Sequence, residues 1–206
     1  MIVIDDFIKD QKLLDDLRAD SAFFENKGYM WWDGWWNSPA DTVKKRLIQY
    51  IWGENSPYPR PHAAGFEYWV GVFSEGGERD ELPFHFDKDE HWYKQAGEIV
   101  SPVIGTVFYP WENDIDGGYL EIYSQGRSAE PERLEPKHNR LVIFPAGHHA
   151  HRVTKVTRGI RRAIAINLWD KEPSGLAAGD LFPEKPKLTR SLDALTHIGQ
   201  IIRGDE

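Results

Sequence analysis

Apolar positions follow a helical period early in the chain and an alternating period from Gly65 to Trp169. Ile2-Val3-Ile4 predicts a short strand, and Asp10 is placed to cap a helix whose Leu13, Leu14 and Leu17 form one stripe. A second helix is predicted from an N-cap at Ser38, with Pro39 in the first helical position and Asp41 in the third. Val43, Leu47, Ile48, Ile51 and Trp52 supply its apolar face, and Gly53 its stop. Between the helices, Gly28 to Trp36 is aromatic with glycine punctuation, which reads as a strand and turn. Its tryptophans are expected to cover a sheet face, with stacking on a bound sugar ring as the alternative.

After a Pro-rich connector from Ser56 to Pro61, seven strands are predicted: Gly65–Ser74, Leu82–Asp87, Ile99–Tyr109, Gly118–Tyr123, Leu141–Phe144, Ala150–Thr157 and Ile160–Trp169. Helices first and strands afterwards give an α+β, mainly β order, with the helices packed on one side of a jelly roll or related barrel. The last strand shows how the faces divide. Ile160, Ile164, Ile166 and Leu168 share one parity with Arg162; Arg161, Ala163, Ala165, Asn167 and Trp169 share the other. With Arg161 inward, two alanines leave room beside its guanidinium. The isoleucine face then needs cover, which the two helices can provide. A final helix is predicted over Leu188–Arg203. The whole reads as one domain over residues 1–206: supporting elements to 64, a β core over 65–169, and a C-terminal extension from 170.

Composition narrows the function classes. Lys and Arg number 25 against 33 Asp and Glu, a formal charge of -8, which disfavours a nucleic-acid partner. The absence of cysteine excludes disulfides, thiolate metal sites and a cysteine nucleophile. No run of 18 apolar residues predicts a membrane span, and the start, with Asp5 and Asp6 so early, does not read as a signal peptide; a cytoplasmic location is expected.

The candidate chemistry lies in His85-Phe86-Asp87. Residues two apart on an extended segment point to the same face, so both side chains can serve one ion. A third imidazole completes a two-His, one-carboxylate set of the kind that suits non-haem Fe(II), though zinc fits the pair alone as well. His151 is the candidate, with His148 and His149 as alternatives. Arg161 is a fixed positive charge able to grip a carboxylate, and Arg162 competes with it from the other face. Asp89, Glu90 and His91 read as solvated loop residues.

Taken in order, these motifs resemble the Fe(II)- and 2-oxoglutarate-dependent dioxygenases, in particular their prolyl 4-hydroxylase-like branch. The resemblance rests on Val3-Ile4-Asp5-Asp6-Phe7, His85-Phe86-Asp87, Gly117-Gly118-Tyr119-Leu120, Leu141-Val142-Ile143-Phe144-Pro145, and His151 followed ten residues later by Arg161. It implies a double-stranded β-helix with iron held by His85, Asp87 and His151. It further implies 2-oxoglutarate paired through its distal carboxylate with Arg161, and ascorbate as a candidate reductant. Tyr109, with Thr106 as competitor, is the expected hydroxyl beside that carboxylate. Phe73 stands near where members of the branch often carry a Tyr. The implied reaction uses O₂ to convert 2-oxoglutarate to succinate while hydroxylating an unactivated C–H bond of a protein side chain or small molecule. The alternatives are a cupin-like metalloenzyme that does not use 2-oxoglutarate, and a carbohydrate-binding jelly roll without catalysis.

Overall fold

The computed structural model describes residues 1–20, 28–53 and 62–174. The Pro-rich connector and the C-terminal helix expected from the sequence lie outside them. Twelve strands and three helices occur among the described residues: β1 Ile2–Ile4, α1 Gln11–Ala19, β2 Met30–Trp32, α2 Val43–Trp52, β3 Gly65–Ser74, β4 Leu82–His85, α3 Glu90–Ala96, β5 Ile104–Tyr109, β6 Asp116–Gly117, β7 Leu120–Tyr123, β8 Glu132–Leu134, β9 Arg140–Phe144, β10 Ala150–Val153, β11 Val156–Arg158 and β12 Ile160–Trp169. They form a six-stranded sheet in the order β1-β9-β5-β12-β3-β2, a four-stranded sheet β4-β10-β7-β8, and a two-stranded pair β11-β6. All pairings are antiparallel. The result is the jelly roll that the strand spacing predicts, in the double-stranded β-helix form that the resemblance implies.

Parity along β12 divides the interior as expected. Ile164, Ile166 and Leu168 are buried in one cluster with Leu13, Leu14 and Leu17 of α1 and Leu47, Ile48 and Ile51 of α2. Ala163, on the opposite face, packs between the sheets with Tyr109, Ile122, Val142 and Phe144. Both helices therefore cover the larger sheet, and the opposite face of β12, with Arg161 and Asn167, looks into the space between the sheets.

Local chemistry fixes the helix starts. The carboxylate of Asp10 accepts from Leu13 N at 3.1 Å, the expected cap. The second helix begins later than predicted: Thr42, not Ser38, is its N-cap, its hydroxyl accepting from Lys45 N at 3.2 Å. Ser38 has another use. Its hydroxyl accepts from Trp32 Nε1 at 2.8 Å and donates to Asp33 at 2.7 Å, and a side chain engaged twice with the preceding segment cannot also cap a helix. Those bonds belong to a packed aromatic corner. Trp32 is buried, and Trp35 stacks on Phe66 at 5.9 Å. These rings cover a sheet face, so the sugar-stacking alternative loses its main support.

The chain differs from expectation most between His148 and Arg161. The expected Ala150–Thr157 strand is two, β10 and β11; β10 pairs with β4 and β7, β11 pairs with β6, and β12 crosses to the other sheet between β3 and β5. Gly159 makes the turn with φ +81°, where a Cβ would come within 2.3 Å of the Asp114 carbonyl oxygen. Arg161 thus reaches the space between the sheets from the sheet opposite His151.

Candidate active site

Three ligand atoms converge between the sheets. His85 ends β4, Asp87 follows it beyond the strand end, and His151 lies on β10 directly opposite His85. The imidazole centroids are 4.0 Å apart, and Asp87 Oδ1 lies 3.5 Å from His85 Nε2 and 3.6 Å from His151 Nε2. One donor atom from each of the three residues lies within 4.8 Å of the others. His148 and His149 are not in this group. Burial lowers the pKa of both, and one ring nitrogen of each is buried without a partner among the described residues.

The two imidazoles are oriented from behind. His85 Nδ1 is 2.8 Å from the Pro83 carbonyl, and His151 Nδ1 is 3.0 Å from that of His149. A carbonyl only accepts, so each Nδ1 carries the proton and each Nε2 presents a lone pair to the centre. Burial, with His151 beside it, pushes the His85 imidazole down to about 3, so it is neutral at ordinary pH. For Asp87, burial pushes upward, but the neighbouring imidazoles and Asn167 outweigh it and hold the carboxyl below its usual range. Two neutral nitrogens and one carboxylate oxygen fit Fe(II), leaving half of an octahedral ion open.

Arg161 is buried at 2% exposure. Its Nε donates to the Gly118 carbonyl at 2.9 Å and its Nη2 to the Tyr109 hydroxyl at 2.9 Å, while Phe73 and Tyr109 present ring faces to the guanidinium at 5.5 and 5.2 Å. Among the described residues no carboxylate pairs with it. A buried guanidinium held by neutral acceptors alone among the described residues suits an anion, because pairing would offset the cost of burying its charge. At this position of β3 Phe73 offers the guanidinium a ring without a hydroxyl. Tyr109 supplies one from β5, and Thr106 is excluded because it shares its face with Ile104 and Phe108, against the helices. Arg162 likewise falls on the face of the isoleucines.

Asp89, Glu90 and His91 correct another expectation. They open a helix, α3, capped by Asp89, whose carboxylate accepts from Trp92 N at 2.9 Å and from the Ser174 hydroxyl at 3.0 Å. Glu90 pairs with Lys88, and both are buried. His91 contacts Gln95 instead of the centre.

Three further residues at the site carry no signal in a linear motif. Asn167 Nδ2 donates to Asp87 Oδ2 at 2.9 Å and to Glu67 Oε2 at 3.5 Å, and Trp169 Nε1 donates to the same Glu67 oxygen at 3.1 Å. Burial, then the charge of Asp87, pushes the Glu67 carboxyl up to about 7. Their parity with Arg161 places Asn167 and Trp169 inward, but the partnership with Glu67 needs the β3–β12 register, which sets Asn167 opposite Glu67. Close by, Tyr29 packs on Trp69 at 4.8 Å, and burial together with Asp87 and Glu67 raises its hydroxyl pKa.

A family model for the 2OG-Fe(II) oxygenase superfamily matches residues 71–169. Among solved structures, the chain is similar to a Pseudomonas putida prolyl-4-hydroxylase at 18% identity, TM-score 0.54, over 83% of this chain and 88% of that one. It is also similar to a Trichoplax adhaerens prolyl hydroxylase in complex with a hypoxia inducible factor oxygen degradation domain peptide fragment, at 14% identity and TM-score 0.51, over 82% and 83% of the two chains. A viral collagen prolyl hydroxylase from Paramecium Bursaria Chlorella virus-1, solved as a 2OG complex, gives 13% identity and TM-score 0.51 over 83% and 96%. A sequence search of curated proteins gives no match.

Proposed function

We propose that this chain is a member of the 2OG-Fe(II) oxygenase superfamily, whose model matches residues 71–169, in which His85, Asp87 and His151 hold Fe(II) while Arg161 and Tyr109 hold the distal carboxylate of 2-oxoglutarate. The observation that carries the assignment is the pairing of a His-Asp-His cluster with a buried arginine lacking a carboxylate partner among the described residues. The chemistry that Fe(II) supplies when bound is activation of O₂, coupling decarboxylation of 2-oxoglutarate to succinate with hydroxylation of a substrate C–H bond. The protein's share is positioning. His85 and His151 present unprotonated Nε2 atoms, fixed by carbonyls behind them. Arg161 and the Tyr109 hydroxyl offer N–H and O–H donors to a carboxylate in a buried setting, where charge-assisted bonds are strong. Ala163 and Ala165 keep that face of β12 low.

For the primary substrate we propose a prolyl side chain in a protein or peptide. Two features support this: the shared fold with prolyl hydroxylases, one of them solved with a peptide, and the Tyr29–Trp69 pair, against which an apolar ring can pack. The test incubates the protein with Fe(II), 2-oxoglutarate, ascorbate as reductant, O₂ and a set of proline-containing peptides, following succinate and the gain of one oxygen on the peptide. Iron-dependent binding of 2-oxoglutarate, abolished in Arg161→Leu with metal retained, is the expected result. Its absence in the wild type refutes the cosubstrate assignment. Turnover of 2-oxoglutarate with small molecules but with no peptide refutes the substrate assignment alone.

A further inference from the structure

Asp87 uses its two oxygens for different tasks. Oδ1 faces both imidazole Nε2 atoms, at 3.5 and 3.6 Å, whereas Oδ2 accepts from Asn167 Nδ2 at 2.9 Å. The other N–H of the same amide is aimed at Glu67 Oε2 at 3.5 Å, which also accepts from Trp169 Nε1 at 3.1 Å. Asn167, Glu67 and Trp169 are 3%, 8% and 1% exposed, so water does not compete for these bonds. The amide cannot be turned the other way, since its oxygen would then face the Asp87 carboxylate, which only accepts. Its position is prepared from the neighbouring strand as well. Gly105 lies opposite Asn167 on β5, where a Cβ would come 2.4 Å from Ala146 Cβ and 3.2 Å from Asn167 Oδ1. Asp87 is also tied at its backbone, its N–H donating to the Ala146 carbonyl at 3.0 Å.

We propose that Asn167, braced by Glu67 and Trp169, is a positioning residue that makes Asp87 a one-oxygen ligand of the metal. The inference rests on the assignment of His85, Asp87 and His151 as the metal ligands. Turning Oδ2 toward the ion would strip a buried N–H of its acceptor, which opposes chelation by both carboxylate oxygens. One-oxygen ligation matters because a chelating Asp87 would occupy one of the three positions that a chelating cosubstrate and O₂ require on an octahedral ion. A carboxyl in the place of Glu67 is explained by the same need: its oxygen fixes the amide plane without itself reaching the ion.

The experiment is anaerobic titration with Co(II), followed by 2-oxoglutarate, read by the visible d–d spectrum and by binding isotherms. The proteins compared are wild type, Asn167→Leu, Glu67→Leu, Glu67→Gln and Asp87→Ala, each checked for folding by circular dichroism. Asn167→Leu is expected to bind Co(II) about 10- to 100-fold more weakly, the usual loss when a partner of a metal ligand is removed. Its cobalt spectrum is expected to change, and its bound metal to take up 2-oxoglutarate poorly. Glu67→Leu should follow in the same direction, and Glu67→Gln, which keeps an acceptor oxygen, should stay near wild type. Asn167→Ala substitutes if the leucine variant does not fold. A folded Asn167 variant with wild-type cobalt affinity, spectrum and cosubstrate binding overturns the positioning role. Wild type that takes up no Co(II), or Asp87→Ala that binds it as well as wild type, removes the metal-site assignment itself.

Discussion

Replacing Tyr109 by Phe removes one oxygen atom from a fully buried ring and tests what that oxygen serves. The hydroxyl accepts from Arg161 Nη2 at 2.9 Å. Its loss leaves a charged, buried N–H without an acceptor, which costs about 1–3 kcal/mol of stability. When 2-oxoglutarate binds, the proposed distal carboxylate can accept that orphaned N–H, so part of the penalty is recovered. The bond from the tyrosine O–H to the carboxylate is not recovered, and hydrogen bonds to charged groups contribute about 1.5–3 kcal/mol. The net is an expected loss of about 10-fold in 2-oxoglutarate affinity, with about 100-fold as the ceiling if nothing is recovered. Urea unfolding of the apo-protein measures the first quantity, and anaerobic titration of the metal-loaded protein the second. A Tyr109→Phe protein that is destabilised yet binds 2-oxoglutarate within about twofold of wild type would refute the reasoning. The hydroxyl would then serve Arg161 alone.

Other predictions concern stability. Glu67 has its carboxyl pushed from 4.5 up to about 7 in the fold. Because the folded protein holds this proton more tightly than the unfolded chain, the contribution is complete below the unfolded value and is lost as pH rises through about 7. It amounts to ~3 kcal/mol, so apo wild type should lose stability relative to Glu67→Gln between about pH 5 and 8 in urea titrations; a constant difference across that window would contradict it. Asp10→Ala removes the cap of α1 and should cost about 1 kcal/mol in the same assay. Asn139 has φ +55°, and its side chain accepts from Ile8 N at 2.9 Å and donates to the Ile8 carbonyl at 3.1 Å. Asn139→Ala should therefore cost about 3 kcal/mol, two hydrogen bonds plus a strained backbone, and Asn139→Gly about 1 kcal/mol less, read by thermal unfolding.

Periodicity made β3 and β12 legible to the residue, because each is ten residues long with opposite faces of different chemistry. The convergence of His85, Asp87 and His151 was legible because residues two apart on an extended segment face one way and the family pattern sets a histidine ten residues before a basic residue, although β4 ends at His85 and Asp87 lies just beyond it. Short elements were not. A seven-residue α3 carries too few apolar positions to show a period, and β10 and β11 are separated by two residues that no pattern marks as a change of sheet. The cap of α2 was misplaced because Ser38 satisfies every local rule for a cap. Its hydroxyl is drawn instead to Trp32 at the end of β2 and to Asp33 just after it, neighbours whose proximity the sequence rules do not weigh. Glu67 was invisible for a related reason: a lone acid in an aromatic strand signals nothing until the register supplies Asn167 and Trp169.

That register explains how one strand can serve both ends of the site. On the inward face of β12, Arg161 meets Tyr109, Ala163 packs against Tyr109 and Phe144, and Asn167 reaches Asp87. On the outward face, Ile164, Ile166 and Leu168 lie under α1 and α2. A slip of one residue would reverse every one of these positions, sending Arg161 and Asn167 to the helix side and pointing isoleucines into the site. The fold resists it from both sides, because β12 is registered residue for residue with all of β3 and with Ile104–Phe108 of β5. The apolar core beneath the helices therefore does more than stabilise the sheet: by choosing which face of β12 is buried there, it determines that the arginine and the asparagine point the other way, into the space between the sheets.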